Sequence, residues 1–168
     1  ISDITYIRTP VESSSFGLGF MPGDSNDKME PYMVPFREKL EELLNKATVD
    51  KLEMEGRTSV QVTNFLRGAH FSGKGIIVDE CQSVPMRELQ TIMTRMGEFC
   101  KMVMCGDYKQ SDLKKGQQRD YQNLVGMFDT PEAAAKGIHV FQFTKDDIMR
   151  SEFVKYVVEV FEQHGYLE

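Results

Sequence analysis

Hydrophobic positions along the chain follow two periods, one typical of strands and one typical of helices. Short apolar or alternating runs predict five strands, at Ile4–Ile7, around Val60 and Val62, at Ile76–Asp79, at Met102–Cys105 and at His139–Phe143. The two most apolar runs, Ile76–Asp79 and Met102–Cys105, are the best candidates for the centre of a sheet. Strands that are buried on both faces are continuous apolar runs of this kind.

Segments with a period of about 3.6 residues separate the strands and predict four helices. Their start signals are Pro35, Pro85, Thr130–Pro131 and Ser151, because Pro is favoured in a first helical turn and Ser or Thr as an N-cap. The predicted apolar faces comprise Phe36, Leu40, Leu43, Leu44 and Ala47 in the first helix, Leu89, Ile92, Met93 and Met96 in the second, and Val154, Val157, Val158 and Phe161 in the last. Strands that alternate with helices predict an α/β fold with a mostly parallel sheet covered on both faces.

Length and charge narrow the class of protein. The 168 residues suit one domain, residues 1–168, which is long enough to bury a core. A net charge of −6 argues against a protein that coats nucleic acid non-specifically. No stretch approaches the roughly 20 apolar residues of a membrane helix, so no membrane partner is expected. The three cysteines lack metal-ligand spacing, which favours reduced thiols in the cytoplasm.

The stretch Gly68–Gly75 nearly spells the phosphate-loop pattern G-x-x-x-x-G-K-[ST]. Gly75 stands where the pattern requires a hydroxyl for Mg²⁺. The apolar run that follows predicts a strand, whereas a phosphate loop opens a helix. We therefore interpret this stretch as a loop that leads into a strand.

Two carboxylates follow the apolar run directly, at Asp79 and Glu80. A hydrated Mg²⁺ takes one or two carboxylates together with phosphate oxygens, so Asp79 is the candidate metal-side residue. Glu80 is the candidate base or water-positioning residue. The alternative is that both are ordinary strand-end residues that face solvent.

A second group of polar residues ends the next apolar strand, where Gly106 and Asp107 are followed by Gln110. The amide of Gln110 can contact a terminal phosphate or an attacking water without adding charge. In an α/β sheet, ligands bind beyond the carboxyl ends of the strands. The motif DExQ ends on Gln82. DExQ and GDxxQ together indicate a phosphate-binding site more specifically than either motif does alone.

These motifs, with further blocks in the same order, resemble the PhoH-like (phosphate starvation-inducible) family. Its members are P-loop ATPases whose core is similar to the first motor domain of superfamily 1 helicases. The blocks that carry the resemblance are "IRTPVE" (Ile7–Glu12), "LGFMPGD" (Leu18–Asp24), "KMEPYMVPF" (Lys28–Phe36), "IIVDECQS" (Ile76–Ser83), "MTRMG" (Met93–Gly97), "GDYKQSDL" (Gly106–Leu113) and "DDIMRSEFV" (Asp146–Val154).

The resemblance implies a three-layer P-loop NTPase fold and Mg²⁺-dependent ATP hydrolysis in the full-length protein. It places the phosphate loop upstream of Ile1. The implied catalytic residues are Glu80, Gln110 and Arg150, and the implied nucleotide-binding residues are Asp79, Gln82, Asp107 and Arg67. It further implies RNA or single-stranded nucleic acid as a partner, and a homo-oligomer such as a hexamer-like ring in which Arg150 could act across subunits.

Some positions and two rival functions remain open. Ala69 and His70 depart from the family pattern, which puts a phosphate contact near Arg67 in doubt. Arg8 ends a predicted strand and could contact nucleic acid or a neighbouring subunit.

The alternative function is a non-catalytic module of the same fold that acts by binding a partner. A fragment of a DNA helicase motor is a third and weaker alternative.

Overall fold

A computed structural model describes residues 1–9, 30–63, 66, 68–107, 110–144, 147 and 151–165. Its centre is a four-stranded parallel sheet in the order β2-β1-β3-β4, with β1 at Asp3–Arg8, β2 at Thr58–Val62, β3 at Lys74–Asp79 and β4 at Lys101–Met104. The helices are α1 at Glu30–Leu43, α2 at Lys46–Met54, α3 at Met86–Met93, α4 at Asp120–Phe128, α5 at Pro131–Ala135 and α6 at Glu152–Gln163. The chain therefore has the predicted α/β fold.

The strand register brings the ends of three strands to one edge of the sheet. Arg8, the last residue of β1, pairs with Asp79, the last residue of β3. On the other side of β3, Val78 pairs with Met104 of β4. Because all the pairs are parallel, the residues that follow β1, β3 and β4 emerge together.

The core lies around the two inner strands, β1 and β3. Ile7, Ile76 and Val78 are buried, as the apolar runs predict. Helix α3 adds Leu89 and Ile92 to the same cluster, at the i and i+3 spacing of one helical face. These contacts make β3 a rigid base for the polar residues at its end.

The first helix differs from its prediction at both ends. It begins at Glu30, so that Pro31 lies in its first turn and Pro35 lies inside the helix. It ends at Leu43, because Asn45 starts a new helix by accepting a hydrogen bond from Thr48 N–H at 2.9 Å. The predicted continuous face through Leu43, Leu44 and Ala47 is therefore wrong, since all three are exposed.

Two predictions about the last part of the sheet are also wrong. β4 pairs only with β3 among the described residues, and its Val103 is 57% exposed, so β4 is an edge strand rather than a central one. Residues 139–143 form no strand, and Phe141 and Phe143 are exposed and contact each other edge to face. Apolar content alone did not distinguish a central strand from an exposed one.

Helix α4 has no counterpart among the predicted elements. Its Tyr121 and Leu124 are buried in the core cluster. Asp120, at its first position, accepts a hydrogen bond from the backbone N–H of Met86 at 2.8 Å and so caps α3 from another element.

The predicted caps of the last two helices are confirmed. Thr130 accepts a hydrogen bond from Ala133 N–H at 3.1 Å, and Ser151 accepts one from Val154 N–H at 3.4 Å. None of the helices in the described part of the chain has the length and apolar character that a bilayer crossing requires.

Candidate functional site

The sharp turn after β3 presents the two candidate carboxylates. Glu80 adopts a left-handed conformation, with φ 55° and ψ 39°, which is unusual for a residue with a side chain. Its backbone N–H donates to Asp79 Oδ1 at 3.0 Å, and the next N–H, of Cys81, donates to Cys105 O at 2.9 Å. A backbone conformation of this kind costs on the order of 1–3 kcal/mol and persists only where its surroundings hold it. The ends of β3 and β4 together hold this turn.

The second oxygen of Asp79 accepts a hydrogen bond from the hydroxyl of Tyr6 on β1. The Tyr6 ring stacks on Phe36 of α1, with centroids 4.9 Å apart and planes 8° from parallel. Burial raises the pKa of Tyr6 well above its usual range, and the hydrogen bond to Asp79 raises this pKa further. Tyr6 is therefore a neutral donor that fixes the orientation of the Asp79 carboxylate.

The Glu80 carboxylate is held from two sides. Arg8 Nη2 donates to Oε1 at 3.3 Å, and Gln82 Nε2 donates to Oε2 at 2.6 Å. The Arg8 and Glu80 side chains are 24% and 35% exposed. An ion pair this accessible contributes only about 0–1 kcal/mol, so it can open readily.

Gln82 connects the two strand ends. Its side-chain Oε1 accepts the backbone N–H of Asp107 at 3.1 Å, while its Nε2 donates to Glu80. Its backbone oxygen accepts the hydroxyl of Ser111 at 2.8 Å. Gln82 is only 3% exposed, so each of these partners satisfies a polar group that water cannot reach freely.

Gly106 permits this connection because a side chain there would collide with it. A Cβ atom at this position would lie 2.8 Å from Gln82 Oε1 and 2.8 Å from a ring carbon of Tyr121. Tyr121 is itself fixed, since its hydroxyl donates to Met104 O at 3.1 Å. Gly106 is therefore required by the packing of Gln82 and Tyr121.

The last link of the site is formed within the segment after β4. Gln110 Nε2 donates to Asp107 Oδ2 at 3.0 Å, and the backbone N–H of Gln110 donates to Asp107 O at 2.9 Å. A chain of hydrogen bonds therefore runs from Arg8 through Glu80, Gln82 and Asp107 to Gln110.

The structure thus brings five of the seven predicted site residues to one edge, namely Asp79, Glu80, Gln82, Asp107 and Gln110. The other two, Arg67 and Arg150, lie outside the described residues. Within the described ranges, no three His, Cys, Asp or Glu residues form a group that could hold a metal ion.

Sequence reasoning missed Tyr6 and did not foresee the partner of Arg8. Both residues lie on β1 at a spacing of two, so they share one face of the sheet. Two polar residues at the end of a buried strand could have indicated that β1 contributes to the site. Naming their partners would have required knowing that β1 lies beside β3, which the sequence does not show.

The glycine-rich stretch before β3 behaves as its sequence predicts. Gly68 and Gly73 have positive φ angles of 87° and 66°, and Lys74 begins a strand rather than a helix. No helix N-terminus follows the Gly73–Lys74 pair, so this stretch has no phosphate-loop geometry.

The two cysteines near the site are not poised for chemistry. Burial raises the pKa of the Cys81 thiol far above its usual range and also raises the pKa of Cys105. Both thiols stay protonated at neutral pH. Cys81 is buried and packs in the core, whereas Cys105 is exposed.

Comparison with known proteins places this arrangement in a family. A family model described as PhoH-like protein matches residues 1–162. The chain belongs to the PhoH-like family. It is 27% identical to a PhoH-like protein of Bacillus subtilis over 98% of this chain and 50% of that protein, and 28% identical to Protein PhoH of Escherichia coli K12 over 89% of this chain and 42% of that protein.

A third PhoH-family relative, Protein PhoH2 of Bacillus subtilis, is 33% identical over 63% of this chain and 25% of its own length. The chain spans about half the length of the curated PhoH-like relatives that it matches. The five clustered site residues all lie within the matched region.

Proposed function

We propose that this PhoH-like chain forms the acidic half of a Mg²⁺-dependent ATP-hydrolysing site, which is complete in the full-length protein. The observation that carries the proposal is the connected set of polar side chains at the ends of β3 and β4. Glu80, Gln82, Asp107 and Gln110 are joined by hydrogen bonds, and Asp79 lies beside them in the chain. Ligands of parallel α/β sheets bind at this edge.

The side-chain oxygen atoms at this edge of the sheet suit Mg²⁺ together with phosphate. Each Asp79 oxygen accepts one hydrogen bond, from Glu80 N–H or from Tyr6, and an ionised carboxylate has about four acceptor positions in all. Asp79 can therefore also contact a metal ion or one of its waters. When bound, Mg²⁺ would supply positive charge that neutralises the charge developing on the phosphate oxygens.

The other side chains would act on the water that attacks the terminal phosphate. Glu80 would orient that water and accept its proton at a carboxylate oxygen. Gln82 would orient Glu80 and tie its position to the end of β4. Gln110 would contact the water or the terminal phosphate through its amide, and Arg67 and Arg150 remain candidates for phosphate contacts.

The exposed edge of β4 is an argument that a further strand pairs with it in the full-length protein. In the described part of the chain, β4 has a neighbour on one side only, and its apolar Val103 is exposed. An open apolar edge is a site for pairing with another strand. A strand and phosphate loop that paired there would lie beside Gly106 and Asp107.

A nucleic-acid partner, a hexamer-like ring and a cytoplasmic location are supported only by the family resemblance and the composition. They remain part of the proposal. Binding of a single-stranded RNA oligonucleotide to the full-length protein, followed by fluorescence anisotropy, tests the partner, and light scattering tests the ring.

One observation favours the rival function, a non-catalytic module that binds a partner. The contacts of Tyr6, Arg8 and Gln82 already give both acidic side chains hydrogen-bond partners within the chain. An acidic cluster that is satisfied in this way can be purely structural. The rival therefore predicts that Glu80 affects stability and that the full-length protein shows no ATP turnover.

The deciding experiment uses the full-length protein and its Glu80→Gln variant. We expect the variant to retain bound ATP and to lose about 10²–10⁴-fold in turnover, the range that positioned acid–base groups contribute. Glu38, which is exposed on α1, provides the control variant Glu38→Gln, which should behave as the unmodified protein. Full turnover in Glu80→Gln would remove Glu80 from the mechanism, and a full-length protein that hydrolyses no ATP would favour the rival.

A further inference from the structure

Arg8 occupies a position from which it can control Glu80. It is the last residue of β1 and pairs in register with Asp79. Its guanidinium contacts Glu80 Oε1 at 3.3 Å, and Gln82 holds Oε2 at 2.6 Å. Both oxygens of the candidate water-positioning carboxylate are thus engaged by side chains of the same chain.

Arg8 and the residues that follow β4 lie on opposite flanks of β3. The strand order places β1, with Arg8, on one side of β3 and β4 on the other. Asp107 and Gln110 follow β4, so these two site residues lie on the side away from Arg8. A Glu80 carboxylate that shares a water with Gln110 needs a free acceptor position directed to the β4 side.

We infer that Arg8 is a positioning residue that restrains Glu80 toward β1, and that turnover requires this ion pair to open. This inference rests on the proposed function, because it concerns how the same carboxylate becomes available. Opening the pair frees Oε1, while the buried Gln82 amide still holds Oε2. Glu80 then turns toward β4 without losing its connection to Asp107.

The strength of the contact suits a reversible restraint. It is a single long contact between two partly exposed side chains, so it biases the carboxylate by about two- to fivefold at most. Dissolved salt weakens such a pair, because mobile ions screen charges that water can reach. The Gln82 contact is shorter and its donor is buried, so salt should affect it less.

The first test compares kcat for ATP in the full-length protein and its Arg8→Gln variant at low salt. We expect kcat to rise about two- to fivefold while KM for ATP stays within about twofold. Arg8→Lys, which keeps the charge but has a smaller donor set, should lie between the two. Arg57 is the matched control, since it pairs with Asp3 and Glu55 at the amino ends of the strands, away from the site. Arg57→Gln should leave kcat unchanged.

Salt dependence separates a restraint from a general loss of structure. Raising NaCl from about 50 mM to about 1 M shortens the screening length severalfold. The ratio of kcat between Arg8→Gln and the unmodified protein should therefore approach one. A ratio that stays constant across this range contradicts the inference.

A readout without nucleotide examines the contact itself. The side-chain carboxyl carbon of Glu80, assigned by its loss in Glu80→Gln, can be followed by ¹³C NMR. Arg8→Gln should shift this resonance and Arg57→Gln should not. An unchanged resonance in Arg8→Gln would show that the ion pair does not form in solution.

The outcomes separate the inference from the proposed function. If Glu80→Gln abolishes turnover but Arg8→Gln leaves kcat unchanged or lowers it, the inference is wrong and the proposed function stands. If neither the unmodified protein nor any variant hydrolyses ATP, the proposed function fails, and the inference fails with it. If Arg8→Gln does not fold, as judged by its melting transition, Arg8→Lys at low and high salt decides in its place.

Discussion

The side-chain oxygen of Gln82 accepts the backbone N–H of Asp107 at 3.1 Å, and this contact ties the end of β3 to the end of β4. It gives the candidate site its shape, because Glu80 depends on the nitrogen of the same amide and Gln110 on the carboxylate of Asp107.

Replacing Gln82 with Leu should destabilise the fold and disorganise the site. The change removes the acceptor of Asp107 N–H and the donor to Glu80, and the net loss for each hydrogen bond is about 0.5–1.5 kcal/mol. Urea unfolding measures the difference in the free energy of unfolding. Gln90→Leu, at an exposed position on α3, should change this free energy by less than about 0.5 kcal/mol. Equal effects of the two substitutions would contradict the bridging role.

Adding one methyl group at Gly106 should be destabilising, whereas the same change at Gly126 should be stabilising. The Cβ of Gly106→Ala would lie 2.8 Å from Gln82 Oε1, and overpacking of this kind costs about 1–3 kcal/mol. Gly126 lies inside α4, and within the described part of the chain no atom beyond the local helix backbone lies within 4 Å of the added methyl. Gly126→Ala should therefore gain about 0.4–1 kcal/mol. Thermal unfolding of both variants measures the two signs, and a neutral Gly106→Ala would show that Gln82 relaxes freely.

Mg²⁺ should raise the ATP affinity of the full-length protein, and Asp79→Asn should reduce this gain in affinity by at least about tenfold. The physical reason is that Asp79 is the proposed metal-side carboxylate, whereas Glu80 acts on water. Titration of nucleotide binding with and without Mg²⁺ measures the effect. Asp129→Asn, at an exposed position after α4, is the control and should bind as the unmodified protein. Unchanged Mg²⁺ dependence in Asp79→Asn would exclude that metal role.

A protein of residues 1–168 alone should show no Mg²⁺-dependent ATP turnover. Its one Gly–Lys dipeptide, Gly73–Lys74, leads into β3 and not into a helix, so it provides no cluster of N–H donors for phosphate. A phosphate-release assay with purified protein measures the rate. Turnover by this chain that disappears in Glu80→Gln would show that the chain contains a complete site.

Alkaline pH should destabilise the protein through Tyr6. Burial raises the pKa of Tyr6 above that of a free tyrosine, so the folded state holds this proton more tightly than the unfolded state. The resulting stability is complete below pH about 10, the ordinary tyrosine value, and is lost as pH rises further. Tyr6→Phe should therefore flatten the fall in unfolding free energy above pH about 10, while Tyr156→Phe, at an exposed position, should not. An equally steep fall in Tyr6→Phe would contradict this account.

The sequence by itself determined the elements whose signals are local. Strand β3 follows from an unbroken apolar run, and α3 from the spacing of Leu89 and Ile92. The caps at Thr130 and Ser151 follow from side chains that bond to N–H groups three residues away. The shared edge for Asp79 and Asp107 was also predictable, because a crossover between parallel strands brings their carboxyl ends together. The family motifs supplied the expected roles.

Only the tertiary structure decided which strands are neighbours, and the contacts of the site depend on that order. Tyr6 and Arg8 reach Asp79 and Glu80 because β1 lies beside β3, although more than seventy residues separate them in sequence. The edge position of β4 and the packing of Gly106 against Gln82 likewise depend on what lies beside them in space. Local periodicity reports how a segment is buried. It does not report which distant segment buries it, because that choice is made by packing across the whole sheet.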